Sequence, residues 1–118
     1  MPDVITLQKI FAGYAFAHAR EADIHNAISH ILQEHNFEFA EQYHLSASDI
    51  PDFIMNGIAI EVKVNGSAPE VTRQLDRYLS YDVIKEIVLI TTLSKHRKIA
   101  GELRGKRITV IWIGGNKL

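Results

Sequence analysis

The dipeptide Asn56-Gly57, set between two apolar runs, constrains this chain more than any other feature. Both positions of a two-residue hairpin loop need positive φ, which Asn tolerates and Gly adopts freely, so residues 50–64 read as a β-hairpin. That loop fixes the register: Met55 faces Ile58, Ile54 faces Ala59, Phe53 faces Ile60 and Asp52 faces Glu61. Side chains alternate along a strand. Asp52, Ile54, Ala59, Glu61 and Lys63 are therefore expected on one side, and Phe53, Met55, Ile58, Ile60, Val62 and Val64 on an unbroken apolar side. Two carboxylates face each other directly, with Cβ atoms about 4.5–5.5 Å apart, where like charges destabilise a sheet. Something positive should lie between them, either Lys63 one pleat along or a divalent cation. Magnesium suits such a pair, because it binds through one or two carboxylates, waters and substrate phosphate. The plain alternative is an exposed pair screened by solvent.

Helical signals flank the hairpin. Ile24, Ile28, Ile31 and Leu32 mark a helix over 21–35 that Asn36 closes, and 37–45 then alternate as a strand. Glu21 continues the apolar stripe of that helix, where a charge is costly unless paired or metal-bound; favourable placement at the helix N-terminus explains it equally well. Ser67-Ala68-Pro69-Glu70 supplies an N-cap, an early Pro and a capping-box Glu for a helix to about Tyr81. Gln74 lies on its inner stripe with Val71, Leu75, Tyr78 and Leu79, and a buried Gln must find hydrogen-bond partners. Residues 87–90 read as a short buried strand, 95–104 as a basic helix weakened by Gly101, and 108–113 as a last strand ended by Gly114-Gly115. Residues 4–17 read as a helix. Its Val4, Ile5, Leu7, Ile10, Phe11, Tyr14 and Phe16 carry more apolar surface than one face would bury, which points to a homodimer contact. The competing expectation is that this helix covers its own sheet. The order α-α-β-β-β-α-β-α-β makes an α/β (α+β) fold, a mixed sheet flanked by helices in one domain over 1–118.

Charge is distributed unevenly. Residues 1–94 hold 6 Lys and Arg against 13 Asp and Glu, whereas residues 95–118 hold 7 against 1. The cationic stretch (Lys95, Arg97, Lys98, Arg104, Lys106, Arg107 and Lys117) suggests a polyanionic partner, although a solvated basic face is the commoner outcome. The absence of cysteine excludes a disulfide framework, a thiolate nucleophile and a Cys-ligated zinc site. His18, His25, His30 and His35 contain no i, i+4 pair, which argues against a histidine zinc site. No apolar run approaches the ~18 residues of a membrane span, and residues 1–20 lack a signal peptide's basic start. The chain reads as soluble and cytoplasmic.

Pro51-Asp52, eight intervening residues and then Glu61-Val62-Lys63 resemble the signature of the PD-(D/E)XK nuclease superfamily. An upstream helix carrying Glu21 and a Gln74-Leu75 pair in the following helix extend the match to about residues 20–92. The likeness is to compact Holliday-junction-resolvase-like and VRR-type nucleases rather than to large restriction enzymes. It implies a restriction-endonuclease-like sheet and Mg2+- or Mn2+-dependent hydrolysis of DNA phosphodiester bonds, with branched or junction DNA as one candidate substrate. It further implies that Asp52, Glu61 and the Val62 carbonyl ligate the metal, and that Lys63 orients the attacking water and stabilises the phosphoryl oxygens. Glu21 would help hold the site or a second metal, Gln74 would support the site or touch the DNA backbone, and the basic C-terminal segment would clamp phosphates. Two other readings stay open, a catalytically silent nucleic-acid-binding module of the same fold and a structural interaction domain.

Overall fold

The Asn56-Gly57 turn forms with φ of 52° and 79°, and the hairpin takes the expected register, Phe53 opposite Ile60, Ile54 opposite Ala59 and Met55 opposite Ile58. The computed structural model describes residues 3–13 and 20–114. Its helices are α1 (Val4–Phe11), α2 (Glu21–Glu34) and α3 (Ala68–Leu79). Its strands are β1 (Ala40–Glu41), β2 (Phe53–Met55), β3 (Ile58–Lys63), β4 (Glu86–Thr91), β5 (Gly101–Leu103) and β6 (Lys106–Trp112). A 3₁₀ helix, Ser94–Ile99, lies between β4 and β5. The strands form one sheet in the order β1-β2-β3-β4-β6-β5. Pairs β3–β4 and β4–β6 are parallel, and the other three are antiparallel. The fold is α+β with a mixed six-stranded sheet.

Strand alternation divides the core in two. Phe53, Met55, Ile58, Ile60 and Val62 pack with Leu7, Phe11, Ile24, Ile28 and Leu32, so α1 and α2 cover one face. Ala59, Ile87 and Leu89 pack with Val71, Leu75, Tyr78 and Leu79, so α3 covers the other. Both central strands are buried on both faces, which is why Ile87–Ile90 is uninterruptedly apolar. Helix α3 opens with the anticipated capping box, Ser67 Oγ accepting from Glu70 N–H and Glu70 Oε1 accepting from Ser67 N–H. Helix α2 ends at Glu34, and Asn36 just beyond it, at φ 57°, takes the left-handed conformation that stops the helix.

Three elements depart from the sequence reading. The strand expected over 37–45 shrinks to Ala40–Glu41. Gln42, at φ 50°, turns the chain away, while Phe37 and Phe39 still pack against the core. The basic helix expected over 95–104 is instead the 3₁₀ helix followed by β5. A second two-residue turn, Arg104-Gly105 with φ of 54° and 72°, joins β5 to β6. Gly101 disfavours a helix there, and the unpaired edge of β6 offers the segment a complete backbone ladder. Helix α1 stops at Phe11, and Tyr14 and Phe16 lie outside the described residues. Leu7 and Phe11 are buried and Val4 and Ile10 pack beside them, leaving Ile5 as this helix's exposed large apolar side chain. The helix covers its own sheet, so the surplus apolar surface that suggested a homodimer is absent among the described residues. No described helix is long and apolar enough to cross a membrane.

Candidate functional site

One residue beyond the last hairpin pair, Asp52 and Glu61 replace the missing rung of the ladder with their side chains. Asp52 N–H donates to Glu61 Oε1 at 3.2 Å, and Val62 N–H donates to Asp52 Oδ2 at 2.7 Å. Each carboxylate thus ties down the other's strand, and the two stay close despite their charge. Glu61 is 4 % exposed. Burial, then the neighbouring Asp52, push its carboxyl up to about 8. Burial likewise raises Asp52, against the pull of the Val62 N–H and of His25 and Lys63. Lys63 Nζ stands 3.4 Å from Glu61 Oε2 and is the cation that the sequence placed one pleat along.

The pair sits at the end of the sheet, between its two faces. Glu61 turns toward α3, where Tyr78 Oη donates to Glu61 Oε1 at 3.4 Å and Gln74 Nε2 donates to Tyr78 Oη at 2.9 Å. Burial and the two acids hold the Tyr78 phenol far above its ordinary range, so it stays a donor. A recess of about 250 Å³ opens on this side, lined by Lys63, Asn65, Gly66, Glu70, Gln74 and Arg77 among others. Asp52 turns toward α2, into a cleft of about 500 Å³ that it shares with Glu21, His25, Asn26 and Gln42. Asp52 therefore departs from the single face expected for Asp52, Glu61 and Lys63. The ladder stops at Phe53–Ile60, and beyond it Asp52 turns to the α2 side while Glu61 and Lys63 stay on the α3 side. The two acids are tied only through the Asp52 and Val62 N–H groups.

Glu21 is the first residue of α2 and is exposed on the rim of the Asp52 cleft, not buried on the inner stripe. Gln74 has the partner its position demands, the Tyr78 hydroxyl. The basic segment divides into two groups. Lys95, Arg97 and Lys98 are exposed on the 3₁₀ helix, with the Arg97 guanidinium 4.7 Å above the Trp112 ring. Lys106 Nζ instead donates to the carbonyls of Leu79, Tyr81 and Ile84 at 2.7–3.2 Å, closing the C-terminus of α3. Arg104 makes a two-pronged pair with Asp76 at 2.9 and 3.3 Å. Arg107 is exposed on β6 opposite Glu102. Lys117 lies outside the described residues.

Sequence reasoning missed three participants. His25 was read only against a zinc pattern. It stacks on Phe53 with centroids 4.4 Å apart and lies 3.7 Å from Asp52 Oδ1 and 3.5 Å from Glu41 Oε1. Its place at i+1 from Ile24 hid it, because that position reads as a helix flank. The inner stripe of α3 accounts for the packing of Tyr78, but its hydroxyl also donates to Glu61. Asp49 is buried, with Oδ1 accepting from Arg77 Nε at 3.1 Å and Oδ2 from Tyr81 Oη at 3.0 Å. Its partners lie 28 and 32 residues away, so no local signal could have found them.

The donor set bears on the metal that the resemblance implies. Among the described residues no three His, Asp or Glu side chains converge to form a protein-only cage. Two adjacent carboxylates suit a hard ion that keeps most of its waters. The Val62 carbonyl would lie on the Asp52 side as well, because the N–H and C=O of one strand residue point the same way and the Val62 N–H points at Asp52. Asp52 and Glu61 are the residues that would hold magnesium or manganese, with waters completing the shell. No protein-family model matches the chain, and neither a curated protein nor a solved structure matches it significantly.

Proposed function

We propose that this chain is a metal-dependent DNA endonuclease that hydrolyses phosphodiester bonds, with Asp52, Glu61 and the Val62 carbonyl holding Mg2+ or Mn2+. The observation that carries the reading is the acid pair, buried at Glu61 and half-buried at Asp52, each acid bonded to the other's strand, with Lys63 Nζ 3.4 Å from a Glu61 oxygen. Such an ion, when bound, supplies charge neutralisation at the phosphoryl oxygens and a more acidic water. The chain's own residues prepare the rest. Tyr78 and the Asp52 N–H engage Glu61 Oε1, which leaves Oε2 facing Lys63. Val62 N–H engages Asp52 Oδ2, which leaves Oδ1 toward His25 and Gln42 in the α2-side cleft. Lys63 is placed to stabilise negative charge as it develops on a phosphoryl oxygen, a contribution that needs no reorganisation at the moment of reaction.

A second reading, a nucleic-acid-binding module of the same fold without catalysis, is favoured by one observation. Glu21 stands on the cleft rim, and no third acid or histidine converges with the pair. Nicking of supercoiled plasmid separates the two readings. Wild type should nick with Mg2+ or Mn2+ and fall silent in excess chelator. Glu61→Ala should lose nearly all cleavage, since one remaining carboxylate holds too little cation. Lys63→Ala should keep Mn2+ affinity and lose rate. Cleavage undiminished in Glu61→Ala or in chelator would remove Asp52 and Glu61 from the chemistry.

A further inference from the structure

We infer that Arg77 is a phosphate-binding residue, holding a backbone phosphate of the nucleic-acid strand in the recess it shares with Lys63. The inference rests on the proposed reading of the acid pair and extends it to the α3 side of the sheet. Arg77 is joined to Asp49 through Nε alone, and its terminal nitrogens have no partner among the described residues. The contrast with Arg104 is instructive, because that side chain gives Asp76 both prongs of its fork. Arg77 has no such option: the second oxygen of Asp49 is taken by the Tyr81 hydroxyl. Asp49 therefore fixes the guanidinium stem while the outer edge points away from it, and the Arg77 side chain is 57 % exposed against 10 % for Asp49. A buried acid that anchors an exposed arginine by one nitrogen leaves a pre-organised fork, the geometry that suits phosphate.

The recess has the right surroundings. Lys63 and Arg77 both line it, Gln74 lies one turn before Arg77 on α3, and Asn65 adds a further polar side chain. Its one acid, Glu70, is held by Ser67 within the α3 capping box. The 3₁₀ helix borders it as well, because buried His96 donates from Nε2 to Gly66 O at 2.7 Å. Exposed Lys95 and Lys98 are thereby carried on a segment fastened to the wall of the recess. A strand whose reacting phosphate meets Lys63 would present its neighbouring phosphates to Lys63 and Arg77 on this side, whereas the α2-side cleft has no Lys or Arg among its described lining residues, which include Glu21, His25 and Asp52.

The test measures binding, not cleavage, using a short fluorescein-labelled DNA duplex in EDTA over a salt series. Removing one phosphate contact should lower the slope of log K against log salt by about 0.9. Arg77→Gln leaves Asp49 buried beside a weaker partner, so the decisive comparison is Asp49→Asn against Asp49→Asn/Arg77→Gln, a pair with no stranded carboxylate. The double variant should lose about 0.9 of slope relative to Asp49→Asn, and Lys85→Gln, beside the Asn56-Gly57 turn, should lose none. Equal slopes for the two Asp49→Asn proteins, with matching thermal unfolding curves, would overturn the assignment. A slope that falls in a protein that never nicks plasmid would retain the phosphate site and remove the nuclease reading. Nicking by wild type with equal slopes would do the reverse, and a wild type that does not bind the duplex would overturn both.

Discussion

The carboxyl of Glu61 is the buried member of the acid pair. Its value of about 8 stands above the ordinary 4.5 because burial and Asp52 both disfavour its charge. Between those two pH values the folded protein keeps a proton that the unfolded chain has released, so without metal the stability is highest on the acid side. It falls as pH rises through 8, at up to about 1.4 kcal/mol per pH unit. Asp52, also raised by burial, acts in the same direction. Urea unfolding in EDTA between about pH 5 and pH 8 should show this decline in wild type and a flatter profile in Glu61→Gln. Saturating Mg2+ should restore wild-type stability at the alkaline end and leave the Gln variant nearly unmoved, since only a native state that binds the ion gains by it. Parallel profiles for the two proteins would mean that Glu61 is charged in the metal-free fold. The position of this residue was legible in the sequence because a two-residue turn counts strand pairs without ambiguity. Its partners on α3 were not, since the contact with Tyr78 spans 17 residues and depends on how the helix lies on the sheet.

At the scale of elements, turn chemistry and capping were the reliable signals, and charge was the misleading one. Asn56-Gly57 and Ser67–Glu70 each state a local geometry that no tertiary contact had to supply. Residues 95–104 instead combined cations with Gly101, a composition compatible with a weak helix, and the outcome was decided by the free edge of β6. The Arg104-Gly105 turn lacks the Asn or Asp that usually announces such a loop, so β5 gave no warning. The same segment shows that a lysine can be basic and yet structural. Lys106 Nζ closes three carbonyls, that of Leu79 at the end of α3 and those of Tyr81 and Ile84 just beyond it, where a cation also opposes the helix dipole. Lys106→Met should therefore destabilise the fold by about 1–3 kcal/mol, the cost of leaving such acceptors without their donor. Its DNA-binding salt slope should match wild type. A variant of unchanged stability with a reduced slope would return Lys106 to the nucleic-acid surface.

Across the whole molecule the lopsided charge of the sequence is partly neutralised by folding. Arg104 crosses to Asp76 and Lys106 to the end of α3, so two cations of the C-terminal segment serve the helix that lies over them. The other exposed described cations of that segment are Lys95, Arg97 and Lys98 on the 3₁₀ helix and Arg107 on β6, and the position of the 3₁₀ helix beside the Lys63 recess follows from the His96 bond to Gly66. Arg97, stacked on Trp112, is held in place before any ligand arrives. Its ordering cost is already met, and it should contribute more affinity than either flexible lysine. Replacing the three on the 3₁₀ helix with Gln should lower the DNA-binding salt slope by up to about 2.7, one increment of 0.9 for each phosphate released. Arg104→Gln, by contrast, should leave the slope where it was, because its charge is engaged by Asp76. Anisotropy titrations of the two variants over one salt series decide the matter. If the triple variant keeps the wild-type slope while Arg104→Gln loses one increment, the nucleic acid runs along the β5–β6 edge and not past the 3₁₀ helix. The acid pair would then be approached from the opposite end of α3.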